Sequence, residues 1–234
     1  MTDTILGEPI GPLVPGWTPR ARPPATPMQG RTCRLEPLDP ARHAADLWQA
    51  VQADAEGRTW IYLAYGPFAD EAAYRAFLDG IAGKDDPQFF TVIDMASGRA
   101  VGVLSFLRID PANGVIEVGH VWFSPLLART TAATEAVILM MRRVFDELGY
   151  RRFEWKCNAL NAPSRRAAVR FGFTFEGVFR QAMVVHGRNR DTAWYALIDG
   201  EWPAVKAEAE RWLAPDNFDA DGRQKTPLRM PVAG

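Results

Sequence analysis

The sequence predicts a mixed α/β domain of the α+β kind, and three observations carry that expectation. Apolar residues recur at a spacing of two in some windows and of about 3.6 in others, as they do where strands and helices share one core. Three β-like windows, 89–95, 100–109 and 115–123, follow each other across the short turn signals Ser97-Gly98 and Pro111-Ala112-Asn113-Gly114, which favours an antiparallel meander. A helix and a further strand come next, and a strand–helix–strand unit normally closes as a right-handed parallel crossover. The sheet expected from these runs is mixed, mostly antiparallel, with about seven strands flanked by helices.

Each element has a local reason. Residues 31–38 form the first strand window. The window 39–54 opens on Asp39 as a cap with Pro40 at the first helical position, and Leu47, Trp48 and Val51 share one face. Asp70 caps a second helix over 70–81, where Ala73, Phe77 and Ile81 align. After the meander, 131–148 is a long helix with Val137, Met141, Val144, Phe145 and Leu148 at helical spacing and Gly149 as its stop. The window 151–157 is the returning strand. Asn161 caps a helix over 161–171 that Gly172 ends. Runs 174–185 and 192–198 make a hairpin around the polar turn His186-Gly187-Arg188-Asn189-Arg190-Asp191, whose last four residues are a solvated tip or a site for an acidic acceptor, and 202–213 is a last helix. Outside the domain, 31–213, the first 30 residues read as an extended arm. Seven prolines lie between residues 7 and 30, too many to keep a hydrogen-bond ladder, with Trp17 as an anchor. Residues 214–234 read as a surface-draped tail.

A chain of 234 residues, 47% hydrophobic, suits one domain with decorated ends. Its 27 basic and 28 acidic residues nearly cancel, which removes any global electrostatic reason for a nucleic-acid partner. The two cysteines, Cys33 and Cys157, have neither a metal-ligand spacing nor a disulfide framework, so both read as reduced thiols and no metal is expected. No window approaches the roughly 20 apolar residues of a membrane helix. The first residues carry no basic leader or sustained apolar run, which argues against a secretory signal. The expectation is a soluble cytoplasmic protein with no membrane partner.

Four segments in this order resemble the GNAT superfamily of N-acetyltransferases, and within it the ribosomal-protein N-terminal acetyltransferase branch. They are EVGHVWFSP from Glu117, TAATEA from Thr131, NALNAPS from Asn158 and FGFTFEGVFR from Phe171. The resemblance spans about residues 31–198. It implies a sheet splayed between its fourth and fifth strands and an acetyl-coenzyme A co-substrate. It also implies transfer of the acetyl group to an amine, on a protein N-terminus or a small molecule. By resemblance, the edge of Val121, Trp122 and Phe123 pairs with the pantetheine arm as if it were a strand. Ala128, Arg129, Thr130, Thr131 and Ala132 face the pyrophosphate at a helix N-terminus. The family's loop glycines are replaced here by Arg129 and Thr131, and Arg129 offers a charge instead. Asn161 and Ser164 match an Asn-x-x-Ser that sits beside the thioester, though a helix cap alone accounts for both. Arg165, Arg166 and Arg170 are candidates for the nucleotide phosphates or a plain basic helix face, and Arg166 is carried forward.

Transfer to an amine needs a neutral nucleophile, a polarised carbonyl and a path for the proton. Glu117 is the candidate general base, and Ser164 the second catalytic candidate. His120 stands at odd separation from Glu117, so strand alternation places only one of the two toward the acceptor. Ala168 occupies the position where relatives carry a tyrosine acid. Cys157 reads as core. Trp60, Tyr62, Tyr65 and Phe68 form either an acceptor wall or core. The expected partners are acetyl-coenzyme A and an amine acceptor, with a homodimer left open. The alternative function is a coenzyme A-binding sensor or scaffold that has lost catalysis, motivated by the missing glycines and tyrosine.

Overall fold

The computed structural model describes residues 3–231, in which an eight-stranded mixed sheet carries helices on both faces. A small hairpin, β1 (Asp3–Ile5) and β2 (Glu8–Ile10), precedes β3 (Met28–Gln29) and β4 (Cys33–Pro37). Helices α1 (Pro40–Gln52) and α2 (Glu71–Ile81) follow, then the meander β5 (Gln88–Asp94), β6 (Ala100–Asp110) and β7 (Val115–Phe123). Next come α3 (Thr131–Arg142), β8 (Arg152–Asn158), α4 (Ala162–Arg170), the hairpin β9 (Thr174–Val185) and β10 (Arg188–Ile198), and α5 (Trp202–Leu213). The spatial order is β3-β4-β5-β6-β7-β8-β10-β9. Every neighbouring pair is antiparallel except β7 and β8, joined in parallel through the α3 crossover.

Strand alternation divides the core in two. On one face Leu104, Phe106, Ile116, Val118, Phe153 and Trp155 pack with Val137, Met141, Ala168 and Val205, from α3, α4 and α5. On the other, Phe89, Val103 and Trp122 pack with Leu47, Trp60, Tyr74 and Leu78, from α1, α2 and the segment between them. These are called below the α3 face and the α1–α2 face.

Three features depart from the sequence expectation. The helix expected over 131–148 is α-helical only to Arg142. One wide π turn, Arg143–Glu147, then continues it, with Leu148 N–H donating to Arg143 O at 3.1 Å. There Arg143, 4% exposed, turns inward and donates to Pro24 O, Thr26 Oγ1 and Pro27 O. The polar turn of the last hairpin shrinks to His186 and Gly187, both at positive φ (50° and 70°), as a two-residue hairpin turn requires. Arg188 to Asp191 therefore lie in β10, with their side chains alternating across the sheet. The proline-rich arm is a strap: Trp17 Nε1 donates to Ala112 O, Tyr150 Oη to Ala21 O and Gln88 Nε2 to Pro23 O. Its end supplies β3, the eighth strand.

Candidate active site

The pairing of β7 with β8 covers only Val115 to Val118 against Arg152 to Trp155. Beyond that point each strand stays with its outer neighbour. Trp122 and Phe123 pair with Val103 and Gly102 of β6, while Lys156, Cys157 and Asn158 pair with Trp194, Ala193 and Thr192 of β10. The two central strands thus diverge, leaving the inner edge of β7 from Gly119 onward without a strand partner.

A bulge sets the direction of the divergence. Ser105 pairs with Gly119 and Val103 with Trp122, so β7 carries one more residue than β6 between these points. His120, at φ 50°, is the left-handed residue in this insertion. It shifts the alternation by one, so that Val121 and Phe123 pack toward the α3 face and Trp122 toward the α1–α2 face. This corrects the expectation that only one of Glu117 and His120 could face the acceptor side. Glu117 is on the α1–α2 face by its pairing with Leu107, and His120 lies there too, with its ring 5.1 Å from Phe89 and stacked 5.7 Å from Tyr65. Tyr65 Oη sits 3.2 Å from His120 Nδ1.

Glu117 is 5% exposed and stands in a charged row. Lys156 Nζ lies 2.9 Å from its Oε2 and 2.6 Å from Glu154, and Arg108 lies 3.4 Å from Oε2. Lys156 also sits 3.7 Å over the Trp194 ring. Oε2 of Glu117 is thus ion-paired with both Lys156 and Arg108. Burial raises the Glu117 pKa above the ordinary carboxylate range, against the opposing pull of Lys156 and Arg108. Burial, aided by Arg108 and Arg190, lowers that of His120 and favours neutral imidazole. A buried carboxylate of raised basicity is equipped to take a proton.

The opposite mouth of the gap is built at the start of α3. Thr130 caps the helix, its Oγ1 accepting from Ala133 N–H at 3.1 Å and donating to Leu127 O at 2.7 Å. The N–H groups of Arg129, Thr131 and Ala132 have no acceptor among the described residues. They suit an anion at a positive dipole end. Arg129 adopts φ 67°, the left-handed conformation that glycine favours, so the loop keeps a glycine-like path with an arginine in it. The coenzyme's pyrophosphate fits this donor set. Asn161 caps α4 by accepting from Ser164 N–H at 3.1 Å, and Ser164 Oγ accepts from Trp155 Nε1 at 3.0 Å. Ser164 thus lies on the α3 face, across the sheet from Glu117. Arg166 is exposed, whereas Arg165 is held by Tyr195 Oη and Ala159 O, and Arg170 by Thr134.

Of the aromatic candidates, Trp60 is core, and Tyr65 and Phe68 are partly buried against it. Trp60 stacks on Trp122 at 5.0 Å, and Trp122 Nε1 donates to Thr59 Oγ1 at 2.9 Å. The Trp122 side chain, 2% exposed, is therefore spent on the core, and only its backbone is left for a ligand in the gap. Tyr62 instead bridges to Leu160 O, and His186 to Leu63 O, closing the segment over the end of the gap. Lys156 and Arg108 were not singled out from sequence. The alternation Arg152, Glu154, Lys156 against Phe153, Trp155, Cys157 was the available signal for the first.

The acetyltransferase (GNAT) domain profile matches residues 33–174 of the chain. A solved GCN5-related N-acetyltransferase from Brucella melitensis superposes with a TM-score of 0.90 at 51% identity, covering 92% of this chain and 97% of that one. The uncharacterized N-acetyltransferase YnaD of Bacillus subtilis is 28% identical over 156 residues, 66% of this chain and 89% of that protein. The ribosomal-protein-serine acetyltransferase of Escherichia coli is 32% identical over 98 residues, 42% of this chain and 54% of that protein. With a profile match over more than half its length and a splayed sheet to go with it, the chain belongs to the GNAT acetyltransferase family and is an acyltransferase.

Proposed function

We propose that this acyltransferase moves the acetyl group of acetyl-coenzyme A directly onto a primary amine, in the gap beyond Val118 and Trp155. The coenzyme supplies an activated thioester carbonyl. The free backbone edge of Val121, Trp122 and Phe123 holds the pantetheine arm, and the free amides of Arg129, Thr131 and Ala132 hold the pyrophosphate, those of Ala128 and Thr130 being spent on Ser124 O and Leu127 O. Arg129 and Arg166 add charge near the phosphates. Asn161 and Ser164 stand beside the thioester end. The acceptor enters from the α1–α2 face, where Glu117 takes the proton of the attacking amine. The departing thiolate takes its proton from water, and the Ser164 hydroxyl, whose Oγ accepts from Trp155, stands beside it as a hydrogen-bond donor. No covalent enzyme intermediate is required, and Cys157, whose thiol pKa burial raises, is not poised to act as a nucleophile.

The observation carrying this reading is the unpaired stretch of β7 flanked by Glu117 on one face and the free α3 amides on the other. Calorimetric titration with acetyl-coenzyme A is expected to show binding, and an amine panel is expected to release free thiol. Glu117→Gln should lower turnover by about 100-fold while leaving coenzyme binding unchanged. Wild-type turnover in that variant removes Glu117 from the role.

A further inference from the structure

The charged row on the α1–α2 face balances except at one residue. Arg152 pairs with Glu154 and Glu176, Lys156 with Glu117 and Glu154, and Arg108 with Glu117. Three cations thus meet three carboxylates. Arg190 is the fourth cation of this row, and among the described residues it has no carboxylate within salt-bridge distance and no side-chain hydrogen bond. Its Nε is buried without a partner, and the residue as a whole is half-buried. Burial lowers its pKa, the direction expected of a guanidinium partly stripped of water and not compensated.

Arg190 does not stand alone. Thr192 and Trp194, the next residues on the same side of β10, present Oγ1 and Nε1, and both atoms are also buried without a hydrogen-bond partner. Native proteins satisfy nearly all buried polar atoms, so a run of three donor-bearing residues left open along one strand calls for an explanation. The register places the run beside the gap. Thr192 pairs with Asn158 and Trp194 with Lys156, at the end of β8 that has parted from β7. Arg190 feels the charges of Glu117 and Arg108, and His120 feels that of Arg190, so the group lies near the candidate base. On one side of the gap, then, is the candidate base, already paired with its cations; on the other, donors with no acceptor.

From this juxtaposition we infer that Arg190 is the specificity-determining residue for an acceptor bearing a carboxylate near its amine, bound as an anion by the Arg190 fork while the amine faces Glu117. The inference rests on the direct-transfer reading above and narrows its acceptor class. A planar guanidinium matches a carboxylate bidentately, and Thr192 and Trp194 offer further donors once the acceptor docks. A neutral or cationic amine would leave Arg190 uncompensated beside Lys156 and Arg108.

The test compares acceptors that differ only in this charge. Each α-amino acid is assayed by thiol release as the free acid and as its α-amide. A second arm uses short C-terminally amidated peptides with aspartate or asparagine at position two, which separates a free amino acid from an acidic peptide as the carboxylate's source. One of the acid forms is expected to exceed its uncharged counterpart by about 10- to 100-fold in kcat/KM. Arg190→Gln should erase that preference through KM for the acceptor, with the KM for acetyl-coenzyme A unchanged, and Arg190→Lys should restore part of it. Equal rates for acid and amide in both arms of the wild-type protein overturn the inference without recourse to any variant, and so does a preference that survives Arg190→Gln. Absence of turnover with every amine instead refutes the transfer reading on which it rests.

Discussion

Truncating Glu135 should loosen the joint between α3 and the first long strand. This carboxylate, 5% exposed on the first turns of α3, reaches across to the entry of β4. It accepts from Arg31 N–H at 2.8 Å on Oε1, and from Thr32 N–H at 2.5 Å, Thr32 Oγ1 at 2.6 Å and Cys33 N–H at 3.1 Å on Oε2. The backbone wraps so closely that a Cβ on Gly30 would come within 2.6 Å of the Glu135 carboxyl carbon. In Glu135→Ala the donors of Arg31 and Thr32, only partly buried, regain water, so each loses the surplus of a charge-assisted bond, about 1 kcal/mol. Cys33 N–H is buried and loses its acceptor outright, about 1–3 kcal/mol. The total is about 4–6 kcal/mol, or about 8–24 °C in Tm for a domain of this size. Glu135→Gln retains one acceptor oxygen and should lose about half as much. Urea unfolding followed by tryptophan fluorescence, extrapolated at unchanged m, reads the difference. A loss below about 1 kcal/mol for the alanine variant would show that the four donors are satisfied without Glu135, and the reasoning would fail.

Arg129→Gly should stabilise the fold by up to about 1 kcal/mol, since glycine adopts φ 67° without the left-handed penalty, while raising the KM for acetyl-coenzyme A several-fold as the charge is lost; unfolding midpoints and steady-state kinetics read the two effects. His120→Val should cost about 1–2 kcal/mol, because a β-branched residue tolerates φ 50° poorly, whereas His120→Asn should cost less than half of that; equal losses in urea unfolding would deny the bulge its conformational demand. Glu117 must be ionised to accept a proton, so kcat/KM is expected to fall on acidification through its raised pKa, and Glu117→Gln should lack this limb. Stability runs the other way: a carboxyl whose folded pKa is raised contributes stability that is present at low pH and lost as pH rises through that pKa, so unfolding midpoints of wild type and Glu117→Gln should diverge across that window.

Much of the architecture was legible because local signals agreed with each other. Asp39, Asp70 and Asn161 cap the helices they were expected to cap. The antiparallel meander and the parallel crossover followed from short turns and from the long helix between two strands. The errors arose where a local rule met a tertiary demand. A continuous helical pattern over 131–148 does not reveal that Arg143 turns inward to hold the proline-rich strap, which the π turn accommodates. The run from His186 to Asp191 is polar throughout, yet only two residues are needed to reverse the chain, so Arg190, read from sequence as part of a turn that is either a solvated tip or a site for an acidic acceptor, lies in a strand instead.

Periodicity, capping residues and turn chemistry, all properties of neighbours in the chain, by themselves determined the order of the main elements and the meander, while the position of the candidate cleft came from the resemblance of four segments to a known family. The tertiary structure alone decided which side chains meet in that cleft. One inserted residue at His120 reverses the alternation of β7 and puts it on the same face as Glu117, and strand register brings Arg108, Lys156 and Arg190 from three further strands around that carboxylate. A bulge costs little in local propensity and leaves no periodic trace, and pairing between strands far apart in sequence depends on the packing of the whole sheet.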